Sequence, residues 1–119
     1  MKIADRIFGC ILFLGGMAHA LGAWSALRAQ PAMLLWSLAA AFAIFLLASI
    51  NLLRTARPAD RALAWISFAG CLVWMGFAFA VGALRGSLLY LPAIANVILS
   101  LILAGFSLRT ARGNAAPAR

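Results

Sequence analysis

The side chains able to do chemistry in this 119-residue chain are few. They are one histidine, His19, two cysteines, Cys10 and Cys71, two carboxylates, Asp5 and Asp60, and two asparagines set within long apolar runs, Asn51 and Asn96. Two thiols and one imidazole fall short of the four ligands of a structural zinc site, and neither C-x-x-C nor C-x-x-C-H occurs. A Ser or Cys nucleophile with His19 would still need an acid, and both acids lie outside the apolar runs. With no glycine-rich phosphate loop and no paired carboxylates either, an enzyme is not expected. Cys10 and Cys71 read as small apolar packing residues and imply no disulfide-rich fold.

His19 is the sharpest candidate, because ionisable residues within a membrane span default to functional roles. It lies nine residues before Arg28, and Asn96 lies nine residues after Ser87. At 1.5 Å per residue both are ~13 Å from the same boundary, so they are expected to meet across a helix contact. Such a bond is worth about 0.6 kcal/mol in a bilayer. The helical neighbours of His19 are small (Gly15, Gly16, Gly22 and Ala23), which predicts a crowded helix contact around it. Haem ligation through His19 is a further reading, although bis-His ligation would demand two chains. No cofactor is otherwise expected. Asn51, one turn from Arg54, is expected to be satisfied by water or headgroups and is given no special role.

The elements that position these residues follow from composition. A hydrophobic content of 66% with 10% charged residues lies far outside the soluble range of roughly 45–50% apolar residues, so the chain is expected to be a membrane protein. Its formal charge of +8 does not form the gathered basic footprint that nucleic acid requires, and the basic residues instead punctuate apolar runs. Runs over about 7–27, 32–53, 62–84 and 88–108 are each long enough to span a ~30 Å hydrocarbon core as a helix. An alternative for the first is a cleaved signal peptide with Ala18-His19-Ala20 as its A-x-A site. The expected fold is all-α, a single four-transmembrane-helix bundle with a flexible cytoplasmic tail over 113–119. Pro31 suits the first turn of the second helix, and Asp60 suits the N-cap of the third. Pro92 either starts the fourth helix or kinks its first turn.

Four spans place both termini and the central loop on one side, and that side holds eight of the ten basic residues. They are Lys2, Arg6, Arg54, Arg57, Arg61, Arg109, Arg112 and Arg119, against Arg28 and Arg85 opposite. The excess predicts cytoplasmic termini in the cell inner membrane. Both carboxylates are then expected at the cytoplasmic surface. Arg54 and Arg57, like Arg109 and Arg112, are spaced to share a helical face, where with Arg61 they would hold anionic lipid headgroups at about 1 kcal/mol per charge.

The signature Leu53-Arg54-Thr55-Ala56-Arg57 returns as Leu108-Arg109-Thr110-Ala111-Arg112, and Gly9-Cys10 with Gly15 returns as Gly70-Cys71 with Gly76. Two matches in the same order suggest a duplicated two-helix unit, a parallel repeat about the membrane normal. Gly9, Gly15, Gly16, Gly22, Gly70, Gly76 and Gly82 are candidate packing residues, because helices in lipid associate through small side chains. They predict a tight seam between the first and third helices. Trp36 and Tyr90 near one interface, and Trp65 near the other, fit aromatic belts.

In size and span number the chain is similar to the small multidrug-resistance transporters. It departs from them where that family carries a membrane-embedded glutamate in its first helix. Three readings follow: a structural or accessory membrane protein that packs with itself or a larger complex; a minimal oligomeric transporter or channel for a small or lipid-like solute; and a redox-cofactor binder through His19. A solvent-connected polar cavity reaching His19 would favour the second.

Overall fold

The computed structural model describes residues 2–87 and 90–113, which form four α-helices: α1 (Lys2–Leu27), α2 (Pro31–Ala56), α3 (Arg61–Leu84) and α4 (Leu91–Gly113). With 23 to 26 residues, each is long and apolar enough to cross a membrane. Three of them outrun their apolar segments at the same end of the bundle, the near end, where α1 begins and α2 and α4 finish. There α1 is helical from Lys2, α2 continues to Ala56 and α4 to Gly113. The residues that punctuate the sequence are therefore largely helical. Residues 88–89 at the expected start of the fourth span, and the tail beyond Gly113, lie outside the described residues.

The helix ends follow local chemistry. Pro31 opens α2, where its missing N–H is not needed. The Asp60 carboxylate accepts from the Leu63 amide at 2.9 Å and caps α3. Past Leu84, Gly86 takes φ +72°, the Gly86 amide donates to the Ala83 carbonyl and the Ser87 amide to that of Gly82. That double bond closes the last turn of α3 and needs the left-handed residue that glycine supplies. The Tyr90 carbonyl accepts from Ala93 and Ile94, so α4 starts at Leu91 with Pro92 unkinked in its first turn.

α1 with α2, and α3 with α4, form two hairpins that join through α2 against α3 and α1 against α4. α1 and α3 sit diagonally, with no close backbone approach among the described residues. This corrects the expected seam between them. The packed glycines turn mainly toward α2: a Cβ on Gly9 would come within 2.8 Å of Leu52, one on Gly16 within 3.0 Å of Ile44 and 3.1 Å of Phe45, and one on Gly70 within 2.9 Å of Leu47. Gly82 faces Ala93 of α4, while Gly15, Gly22 and Gly76 meet nothing within 4 Å. Glycine content alone does not say which face packs, and here α2 is the helix that its neighbours approach.

The interior is inverted relative to a water-soluble bundle. Arg54, Asn51, Ser67, Ser100 and Ser107 are among the fully buried side chains, whereas Val73 at 75% exposed and Trp36 at 77% face outward. In lipid that arrangement costs nothing at the apolar surface and satisfies polar groups against each other. An apolar cluster of Leu12, Ile44, Leu47, Ala48, Cys71, Leu103 and Ala104 fills the middle. Overpacking a tight contact costs about 1–3 kcal/mol, so Gly16→Leu is expected to lower the thermal unfolding midpoint in mild detergent. Gly76→Leu, which adds its side chain to open space, is expected to leave it unchanged or slightly raised; the reverse order would contradict this packing.

Candidate functional site

Two regions of the bundle hold the polar side chains, one in each half. The near half is organised by spacing on α2, where Ile44, Leu47, Ala48, Asn51, Arg54 and Thr55 follow the i, i+3, i+4 rhythm of one buried face. Two of those positions carry Asn51 and Arg54 in place of apolar residues. On α1 the stripe Asp5, Gly9, Leu12, Gly16 and Ala23 is buried in the same way, and on α4 Ser100, Leu103, Ala104, Ser107 and Ala111 are.

Arg54 is 1% exposed, and its guanidinium Nη2 lies 2.6 Å from Asp5 Oδ1, whose side chain is 12% exposed. Its Nη1 donates to Thr110 Oγ1 at 3.0 Å, and Nη2 reaches Asn51 Oδ1 at 3.4 Å. Thr110 in turn donates to the Phe106 carbonyl. Asn51 Nδ2 donates to the Leu47 carbonyl at 2.9 Å and approaches the Cys71 sulfur at 3.5 Å. Ser67 Oγ donates to Asn51 Oδ1 at 2.9 Å and lies 2.9 Å from Ser107 Oγ. Each hydroxyl has one proton. Ser107 Oγ also lies 2.8 Å from the Leu103 carbonyl, which can only accept, so the single protons of Ser67 and Ser107 are shared among Asn51 Oδ1, the Leu103 carbonyl and the contact between the two hydroxyls. Nε of Arg54 and Oγ of Ser100 are buried without a hydrogen-bond partner among the described residues.

This arrangement differs from the sequence expectation at three residues. Arg54 does not share a headgroup-level face with Arg57, Asp5 is not a surface carboxylate, and Asn51 is a hub of the interior. The cause is helix length. α1 is already helical at Asp5, α2 carries Arg54 inside its last turn, and the chain leaves the helix at Arg57, whose amide caps onto the Leu53 and Arg54 carbonyls. Arg57, Arg61, Arg109 and Arg112 remain exposed. The two copies of the basic signature thus differ, with Arg54 buried and Arg109 outside. Cys10 is likewise exposed where Cys71 is buried.

The far half contains a cavity of about 320 Å³ between the hairpins, open on one side. All four helices line it, with Gly15 and His19 from α1, Trp36 and Ile44 from α2, Trp74 and Phe77 from α3, and Asn96 from α4. Arg85 and Tyr90 stand at the far end, the guanidinium 5.6 Å from the ring centroid. His19 and Asn96 share this cavity as their equal depth predicts, but they do not pair. Asn96 Oδ1 accepts from Trp74 Nε1 at 3.1 Å, and its Nδ2 donates to the Pro92 carbonyl at 2.8 Å. The indole N–H of Trp74 is half-buried and needs an acceptor, and the closely packed α3 and α4 bring Asn96 to it. His19 is exposed on the side of Gly15 and Gly22 and has no hydrogen-bond partner among the described residues. The expected crowded contact belongs to Gly16 and Ala23, on the adjacent face.

Comparison with family models, with curated proteins and with solved structures found no match. The site therefore stands on its own geometry. Sequence reasoning found His19 and Asn96 and missed Asp5, Asn51, Arg54, Ser67 and Ser107. The available signal was that Asn51 and Arg54 prolong the buried α2 stripe, with the chain's few acids leaving Asp5 as the partner on the other helix of the same hairpin.

Removing one member of a buried pair strands a charge and costs about 3–5 kcal/mol, whereas replacing both members by apolar residues is often nearly neutral. Asp5→Leu is therefore expected to destabilise the bundle strongly in equilibrium unfolding, and Thr110→Val by about 1–3 kcal/mol. The double variant Asp5→Leu/Arg54→Met is expected to recover most of the Asp5→Leu loss. If the two single losses simply add in the double variant, the pair is not energetically coupled.

Proposed function

We propose that this multi-pass membrane protein is a minimal carrier or binder of a small lipid-like solute, held in the cavity between the hairpins. The observation that carries the reading is the 320 Å³ cavity reaching His19 in the middle of a membrane-spanning bundle. A protein serving only as packing material needs small-residue seams, and it gains nothing from a cavity lined by Trp36, Trp74, Phe77 and Tyr90. The volume lies at the low end for small-molecule sites, and a mostly apolar wall with a few polar groups is their usual make-up. The near half supports the same reading, since its ion pair and hydrogen bonds join the hairpins there and leave the space between them in the other half.

In this proposal the protein sits in the inner membrane with both termini cytoplasmic, so the cavity faces the exterior side. Burial of Arg54 leaves the sense of the charge asymmetry unchanged, because the exposed Arg6, Arg57, Arg61, Arg109 and Arg112 still lie on the near side. Those exposed arginines suit anionic headgroups. The two hairpins also suit a duplicated unit. Four short helices enclose little volume, so carriage across the membrane would use a homo-oligomer.

Occupancy of the cavity is testable through Trp74. A chain carrying Trp24→Phe, Trp36→Phe and Trp65→Phe, placed in zwitterionic lipid nanodiscs, is titrated with 11-bromoundecanol. Saturable quenching of Trp74 is expected, and Gly15→Phe, which adds a ring where no atom lies within 4 Å of the new Cβ, is expected to abolish it. Quenching that rises linearly and ignores Gly15→Phe would mean partition into lipid, and the reading would fall. Orientation is checked separately: an impermeant thiol reagent is expected to label Ser87→Cys from outside and the exposed Ala59→Cys only after permeabilisation.

A further inference from the structure

Resting on the cavity reading, we infer that the preferred occupant is a single-chain amphiphile with an anionic head, bound with the head at Arg85 and the chain running toward Trp74 and Ile44. The charge inventory decides the sign. The chain has two side-chain carboxylates in all, Asp5 and Asp60. Asp5 is held by Arg54 and Asp60 caps α3, both at the near end. Among the described residues no carboxylate lines the cavity or stands as a counter-charge to Arg85. Arg85 is exposed at the far end of an apolar cavity, and an anion that meets it there comes from outside the chain.

Three further features point the same way. Arg85 lies over the Tyr90 ring, which steadies the guanidinium while leaving its N–H groups as donors. Pro92 and Ala93 line the cavity at the start of the 23-residue α4, whose positive dipole end adds to the field there. His19 lies deeper, with no partner among the described residues, and it can donate to or accept from a polar group on the chain. A cationic amphiphile meets the opposite situation: Arg85 repels its head and no acid attracts it. On α3 the ten residues from Leu84 back to Trp74 correspond to ~15 Å of depth, which suits one extended chain. A volume of about 320 Å³ does not suit the two chains of a bilayer phospholipid.

The test uses the same Trp74 nanodiscs at pH 8 with three probes of equal length: 11-bromoundecanoate, 11-bromoundecanol and 11-bromoundecyltrimethylammonium. The carboxylate is expected to bind about tenfold more tightly than the alcohol after correction for bilayer partition, and the ammonium more weakly than either. Arg85→Gln is expected to erase the carboxylate's advantage over the alcohol. The preference is expected to persist in discs containing one-fifth phosphatidylglycerol. If none of the probes quenches saturably, the cavity reading itself fails. If the alcohol binds but the carboxylate has no advantage, or Arg85→Gln leaves the advantage intact, the anionic assignment alone is overturned. Loss of the preference on adding phosphatidylglycerol would mean that a bilayer lipid occupies Arg85, which overturns the single-chain occupant.

Discussion

The buried pair of Arg54 and Asp5 is the constraint on which the bundle depends. An arginine cannot be left unpaired among apolar side chains, because the cost of an isolated buried charge exceeds what a small bundle gains elsewhere. Its five N–H groups point in a fixed fork, so its partners must arrive from fixed directions. α1 supplies Asp5, α4 supplies Thr110, and Asn51 closes the set one turn back on α2 itself. Sliding any of these helices by a turn would separate the partners by about 5.4 Å. Apolar contacts between membrane helices give little such discrimination, since lipid tails are as apolar as leucine. The polar set therefore fixes the register, and leucines, glycines and alanines fill in around it.

That concentration of specific contacts in one half has a consequence for the other. The bonds from one hairpin to the other at Asn51, Ser67, Arg54 and Thr110 all lie near the end where α1 begins and α4 finishes. The ring contact of Phe8 with Phe106 and the packing of Gly70 on Leu47 fall in the same half or at its border. At the far end the short turns hold each hairpin together, while the space between hairpins is the cavity. Trp74 and Asn96 bond within the second hairpin, and Gly16 with Ile44 and Phe45 packs within the first. In the far half each hairpin is thus held by contacts within itself. A cavity can persist between them because neither depends on the other there for its hydrogen bonds.

Much of the fold was legible in the chain. Apolar runs bounded by Pro31, Asp60, Gly86 and Pro92 mark four helices, and the physical reasons for each boundary reappear in the structure. What could not be read was azimuth. Depth comes from counting residues, and His19 and Asn96, expected at one level, line one cavity. Direction depends on which face packs, and neighbouring Gly15 and Gly16 point two ways, one open and one against α2. Arg54 was misplaced for a related reason. A basic residue after an apolar run has the same appearance whether it stops the helix or lies inside its last turn, and only the continuation of α2 to Ala56 separates the two cases. Where the helix persists, the buried stripe of Ile44, Leu47 and Asn51 carries Arg54 inward.

The location of the charges also bears on how such a chain enters a bilayer. Asp5 and Arg54 belong to the same hairpin, and each alone within a span costs about 2.5–3.5 kcal/mol on insertion scales. Once α1 and α2 fold against each other, the two meet without help from the second hairpin. The first hairpin is then close to neutral in its interior but not complete, since Asn51 Oδ1 and Nη1 of Arg54 still lack the partners that Ser67 and Thr110 provide. The second hairpin carries no charge of its own within its packed face, only Ser67, Ser100, Ser107 and Thr110. It can insert as an apolar pair and gain hydrogen bonds by docking in one register. Placing both charges in the first half of the chain and their neutral acceptors in the second makes assembly directional, because the costly groups are paired first and the later hairpin reads the position they have fixed.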